Sequence, residues 1–281
     1  MAENSVRSAV PSPVKRQLRQ EAGFGCCVCG NPILQYHHIV EWADENHNRP
    51  EDMMALCPLH HDQATKGAFP EIEQRQAKAQ PCNVSNGLAK GLLAVRQSYP
   101  AIQLGSVIVV NEGDVLDIDG QVVLGMEIRD GAMLVSANLR SQSNVSLCVL
   151  DRNEWISGNP MAWDIEADWQ KLTIRERAGS INLSINAQRI PASLTGTFWL
   201  NGQRFQISGN GIAMDKGSAP GVSIAELALV GISLRINNSS FSIDHNGGGA
   251  IVSWPDRRER LWKAAAAWKN ISANRTGSDS G

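Results

Sequence analysis

Cys26-Cys27-Val28-Cys29-Gly30 and Leu56-Cys57-Pro58-Leu59-His60-His61 are the two stretches that decide how the first quarter of this chain folds. Each holds a pair of metal donors two residues apart, Cys26 with Cys29 and Cys57 with His60, and 27 residues separate the pairs. A two-residue gap lets a tight turn aim both side chains at one ion, and zinc takes four nitrogen or sulfur donors in a tetrahedron. The spacing therefore predicts one closed, structural zinc site built from Cys26, Cys29, Cys57 and His60. Cys27 does not fit that spacing and reads as a small buried residue. So short a segment has few apolar residues to bury, and the metal is expected to supply much of its folding energy.

Five of the six histidines, His37, His38, His47, His60 and His61, fall in the same region. Histidines used only for packing would be scattered, so the cluster asks for a chemical role. On a strand, His37 and His38 point to opposite sides, which suits two tasks, one ligating a metal and the other handling a proton. His61 follows the zinc ligand His60 and is placed to complete a second, more open metal site. His47 reads as a loop or substrate-contact residue. Trp42 packs under the hairpin or stacks on a nucleic acid.

At these residues the chain resembles the HNH endonuclease family, through Cys26-x-x-Cys29-Gly30, His37-His38-Ile39 and Leu56-Cys57-Pro58-x-His60-His61. The likeness covers roughly residues 12–67. It implies a β-hairpin and helix around one catalytic divalent cation, Mg²⁺ or Mn²⁺, tied down here by zinc, and it implies hydrolysis of DNA phosphodiester bonds. His38 stands where the family has its general base. His37 and His61 stand where it has ligands of the catalytic metal, and His60 replaces a frequent fourth zinc cysteine. The chain departs from the pattern at Asp52, where the family's middle asparagine would orient the base. Asp52 would orient the base or ligate the metal, with Asn46 or Asn48 serving instead if the loop is folded differently. A role as a bacterial antiphage defence effector is a further expectation from the family.

Outward from this module, Ser12 is placed to cap a helix that has Pro13 in its first turn and Gly23 at its end, with Val14, Leu18 and Ala22 on one stripe. Lys15, Arg16 and Arg19 lie on its other faces, and Lys66 lies just past the second metal-ligand stretch. All four are positioned to meet phosphate, or else form ordinary solvated surface. Residues 71–80 and 84–98 read as helices of a connector. After residue 101 the turn dipeptides Asp119-Gly120, Asp130-Gly131, Asn201-Gly202 and Asn210-Gly211 punctuate alternating apolar runs, which predicts hairpins. The expected architecture is α+β: a zinc-bound ββα-metal module (1–70), the connector (71–100), an antiparallel all-β domain (101–253), and a C-terminal helix over 255–271 with a polar tail (254–281 in all). Trp155, Trp163, Trp169 and Trp199 read as core of the β domain.

Residues 101–253 carry ten basic and fifteen acidic side chains, whereas 254–281 carry six and three. A polyanion is thus repelled by the middle of the chain. The β domain carries no ligand cluster or nucleotide motif, and reads either as a regulatory module sensing a ligand or protein, or as a homo-oligomerisation module. No apolar run reaches the roughly 18 residues that span a bilayer, and no signal peptide is recognisable, so a cytoplasmic protein without a membrane partner is expected. The competing functional reading is a catalytically inactive, zinc-stabilised module that binds nucleic acid or protein.

Overall fold

The computed structural model describes residues 9–42, 46–157, 162–216, 219–237, 240–244 and 249–278. They form a mixed α+β protein in which strands dominate. The chain divides into two compact units. The first contains residues 1–91, 156–169 and 174–180, and the second contains 92–155, 170–173 and 181–281.

In the first unit, helix α1 (Ser12–Glu21) starts one residue earlier than the sequence suggests. Pro11 holds the cap position and no side chain caps the helix, since proline carries no side-chain acceptor, while Pro13 in the first turn has no N–H to satisfy. Gly23 ends the helix as expected, with a φ of 63°. Its N–H donates to the Gln20 carbonyl, and that of Phe24 donates to the Arg19 carbonyl at 2.7 Å, the double return that satisfies a helix C-terminus. Strands β1 (Gln35–His38) and β2 (Met53–Leu56) pair antiparallel, with His37 opposite Met54 and His38 opposite Met53. The loop between them closes through a 3₁₀ turn at Pro50–Asp52. Helix α2 (Pro58–Thr65) follows directly, with Cys57 at its cap position and a proline opening its first turn. Ala22, Ile39, Met54, Leu56 and Ala64 pack with the cysteines into a small core.

Of residues 71–100, expected as a connector, 71–91 fall in the first unit and 92–100 in the second. Helices α3 (Glu71–Ala79) and α4 (Cys82–Asn86) belong to the first unit, and buried polar side chains tie them down. Gln74 donates to the Phe69 carbonyl, and Asn83 donates to the carbonyls of Gly23 and Gly30. The helix expected over 84–98 stops at Asn86, because Gly87 turns left-handed at φ 69°. Beyond it, Leu93 and Val95 are buried while Leu92 is exposed, the two-residue alternation of extended chain rather than a helical stripe.

The second unit is built from hairpins. Asp119-Gly120, Asp130-Gly131 and Asn201-Gly202 each take two consecutive positive φ angles, as a two-residue hairpin turn with the right twist requires. At the fourth expected turn Ser208 pairs with Gly211, so Gly209 and Asn210 form the turn. Arg152-Asn153 makes another, at φ 48° and 72°, without a glycine to announce it.

The expected all-antiparallel sheet is corrected by three parallel pairings. Residues 192–194 run alongside 102–104, 228–230 alongside 108–110, and 234–236 alongside 116–118. Val107-Ile108-Val109-Val110 is buried at every position, as expected of a strand covered on both faces. Helix α5 (Arg257–Ser278) continues seven residues past Ile271. It lays Leu261, Ala264, Trp268 and Ile271 on Ala101, Ile108, Ala228 and Val230. Of the four tryptophans expected in the core, Trp155 is fully buried, Trp163 and Trp199 are half-buried, and Trp169 is exposed. No helix among the described residues is long and apolar enough to cross a membrane.

Candidate metal centre and histidine cluster

Cys26 and Cys29 sit on a tight turn in which the Gly30 N–H donates to the Cys26 carbonyl at 2.8 Å. Gly30 has a φ of 74°, a conformation that glycine adopts without strain. The other half-site is the first turn of α2, where the His61 N–H donates to the Cys57 carbonyl at 2.9 Å. The ligand atoms of Cys26, Cys29, Cys57 and His60 all lie within 4.8 Å of one another. Cys29 Sγ to Cys57 Sγ is 3.8 Å, Cys26 Sγ to His60 Nδ1 is 3.5 Å, and Cys57 Sγ to His60 Nδ1 is 3.2 Å. Zinc bonds of about 2.3 Å to sulfur and 2.0–2.1 Å to nitrogen give tetrahedral edges of about 3.5–3.8 Å. The donor set thus fits a tetrahedral ion such as zinc.

Burial raises the Cys26 thiol and pushes that of Cys29 up to about 12. Ionising several thiols this close together requires a cation among them. Cys27 stands apart, as its spacing implied. It is buried, its thiol is pushed up to about 12 by desolvation, and its N–H donates to the Ala55 carbonyl.

His60 and His61 are neighbours on α2 and therefore lie about 100° apart around the helix. While His60 joins the cysteines, the His61 ring stands edge-on to that of His37, with centroids 5.2 Å apart. Rings at that separation can offer one nitrogen each to a common ion. Among the described residues no third Cys, His, Asp or Glu completes a ligand group there.

His38 is buried and engages the loop between the two strands. Its Nε2 lies 3.0 Å from the backbone carbonyl of His47. A carbonyl only accepts, so in the neutral ring Nε2 carries the hydrogen and Nδ1 carries the lone pair. The loop is itself pinned by the His47 ring, whose Nε2 donates to the Val40 carbonyl at 3.2 Å and whose Nδ1 accepts from the Arg49 N–H at 3.2 Å. His47, expected as a loop or substrate contact, thus has a positioning role. The Trp42 ring packs edge-on to His38, 5.4 Å between centroids.

Asp52 does not orient His38. Its carboxylate oxygens are taken by Arg49 at 3.0 Å and Arg75 at 3.4 Å. Desolvation would raise its pKa, but these two hydrogen-bonded guanidinium groups outweigh it and hold the carboxyl below its ordinary value. The link from Asp52 to the histidines is through the main chain, since its carbonyl accepts from the Ile39 N–H at 2.8 Å. Of the alternatives, Asn46 is exposed and Asn48 half-buried, both on the segment leading into Pro50.

The residues expected to meet phosphate separate. Arg19 is committed to the protein: Nε and Nη2 donate to the two Asp164 oxygens at 2.8 and 2.7 Å, Nη1 to the Tyr36 hydroxyl at 2.7 Å, and Nη2 to Glu166 at 3.1 Å. Desolvation would lower its pKa, yet the hydrogen bond and charge of Asp164 raise it. Arg16 stacks on Trp163 at 4.3 Å, and Lys15 lies over Tyr36 at 5.8 Å. Lys66 pairs with Asp62 at 3.0 Å and remains largely exposed. The Arg19–Asp164 pair was invisible in the sequence, because 145 positions separate the two residues.

Compared with protein-family models, curated proteins and solved structures, the chain matches none.

Proposed function

We propose that the first unit is a metal-dependent HNH-type endonuclease that hydrolyses DNA phosphodiester bonds. The observation that carries this reading is the His38 ring, held by the His47 carbonyl so that Nδ1 has the lone pair, one residue from a His37 that faces His61. His38 Nδ1 takes the proton of the attacking water. An imidazole of ordinary pKa near about 6.5 is suited to accept it at neutral pH. His37 and His61 would hold a divalent cation, Mg²⁺ or Mn²⁺, which when bound supplies positive charge to the scissile phosphate and the departing 3′ oxygen. Two protein ligands would leave such a cation able to take water and phosphate oxygen as well.

The zinc site supports the chemistry without joining it. It locks the first turn of α2, and so fixes His61 against His37. The loop 39–52, anchored by the His47 ring and by the pairing of Asp52 with two arginines, holds the carbonyl that orients His38. Lys66, exposed beside Asp62, would exchange that surface ion pair for a backbone phosphate, and Lys15 would reach one from its place over Tyr36.

The reading is tested by plasmid nicking with Mg²⁺ or Mn²⁺. Wild type should convert supercoiled to nicked plasmid, and His38→Ala should lose at least a hundredfold in rate while keeping its zinc. General-base removal of this kind costs about 10²–10⁴ in rate. An inert wild type, or a His38→Ala variant that cuts equally well, removes the enzyme reading and leaves a zinc-stabilised binding module.

A further inference from the structure

The second unit holds a cavity of about 410 Å³ whose lining includes Gln103, Asn186, Arg189, Ser193, Thr195 and Arg257, within the roughly 300–1,000 Å³ of small-molecule pockets. Three strands build its floor. Ser193 pairs with Asn186 on one side and with Gln103 on the other, so the three polar side chains form a row across the sheet. Thr195, two residues along, points to the same face. The intervening Ile185, Leu194, Ile102 and Leu104 are buried on the opposite face. This is the polar face of a sheet whose other face is buried, and it supplies the cavity with hydrogen-bonding groups.

The available hydrogen-bonding groups are mainly donors. Asn186 spends its carbonyl oxygen on the Gln188 N–H at 2.9 Å, which leaves its amide hydrogens. Gln103 accepts from Arg257 Nε at 3.0 Å and donates to the Gly105 carbonyl at 2.6 Å. Gln103 therefore holds the Arg257 guanidinium in place without neutralising it. Arg189 forms no ion pair among the described residues, and no Asp or Glu lines the cavity. Every lining residue except Arg257 comes from the acidic stretch 101–253, with ten basic and fifteen acidic residues, yet the lining holds two guanidinium groups and no carboxylate. Such a site repels a cation and attracts an anion that can accept forked hydrogen bonds.

The geometry points to this cavity as a binding site for a small phosphorylated molecule, its phosphate held by Arg189 and Arg257 and its polar body by Asn186 and Thr195. A small ligand is favoured over a nucleic-acid backbone for two reasons: the donors converge in a pocket, and the acidic region repels a long polyanion while leaving a single phosphate to its nearest neighbours. Such a ligand would give the β domain a sensing role. The inference does not depend on whether the first unit hydrolyses DNA.

The test is isothermal titration of the full chain, without divalent cation, using inorganic phosphate, AMP and adenosine as probes. Saturable binding of phosphate or AMP but not adenosine is expected, weakened about tenfold or more in Arg189→Gln, as loss of a charge-assisted contact implies. Arg189 is exposed and bonded to none of the described residues, so the variant should keep the wild-type melting temperature. The assignment is overturned if neither phosphate nor AMP binds, if adenosine binds as well as AMP, or if Arg189→Gln binds undiminished. Displacement of AMP by a decathymidylate lacking terminal phosphates would assign the pocket to a nucleic-acid backbone, and so overturn the small-ligand reading.

Discussion

Replacing Cys57 by serine isolates the contribution of the metal site more cleanly than any other single change. Cys57 is buried, and its sulfur lies 3.2 Å from His60 Nδ1 and 3.8 Å from Cys29 Sγ. It also occupies the cap position of α2, where serine is a preferred residue. In the absence of a metal the substitution would therefore stabilise the helix by up to about 1 kcal/mol. With zinc the sign reverses. A hydroxyl does not ionise at neutral pH and cannot replace a thiolate donor. A structural zinc site is worth about 10–16 kcal/mol apparent binding energy at neutral pH, comparable to the entire net stability of about 5–15 kcal/mol of a typical domain. No neighbour can substitute, since Cys27 is buried away from the set and His61 is turned toward His37. Zinc per chain, measured by mass spectrometry, should fall from one to well below one. Calorimetry on the full chain should show the melting transition of the first unit lost and that of the second retained. A variant that kept one zinc with both transitions unchanged, or that melted higher as the cap argument alone implies, would refute the ligand assignment.

Arg19→Met should destabilise the first unit by about 3–5 kcal/mol, because it strands the Asp164 carboxylate, only 3% exposed, with Arg175 no nearer than 3.7 Å. A double variant with Asp164→Asn should recover part of that loss in urea unfolding, and strictly additive losses would show that the pair is not coupled. Asp52→Asn should lower the urea midpoint of the first unit slightly, by removing the partner of Arg49 and Arg75. Because the folded carboxyl titrates below its ordinary value, its contribution is fully present above the unfolded pKa of about 3.9 and is lost only as the pH falls through the lower folded value. The gap between the two chains should stay constant from pH 7 to pH 5, and a gap that closes within that range would place the Asp52 titration too high for a carboxylate held by two arginines.

Features encoded by neighbours in sequence were legible before the structure. The two halves of the Cys26, Cys29, Cys57 and His60 cluster, the Gly23 helix stop and three of the glycine-bearing hairpin turns depend on spacings of a few residues, and all were readable in that way. The features that were not legible depend on long-range partners or on groups without sequence identity. The β strands are too short to announce which distant strand they join, so three parallel pairings across roughly a hundred residues passed unseen. Arg19 looked like a phosphate contact because its four acceptor oxygens come from two distant stretches of chain, Tyr36 and Asp164–Glu166. The His38 partner is a backbone carbonyl, a group that every residue carries and no motif can mark.

That last point bears on Asp52 most directly. A motif comparison assigns the orienting task to a side chain at one position, and an aspartate there looks like a defect in the machinery. In this chain His38 Nε2 lies against the His47 carbonyl, and the Asp52 carboxylate pairs with two arginines; on the proposed reading the carbonyl would do the orienting. What the position must preserve is the path of the loop, through the Asp52 carbonyl that receives the Ile39 N–H. An asparagine and an aspartate meet that requirement equally well, so the departure from the family pattern does not count against the proposed chemistry.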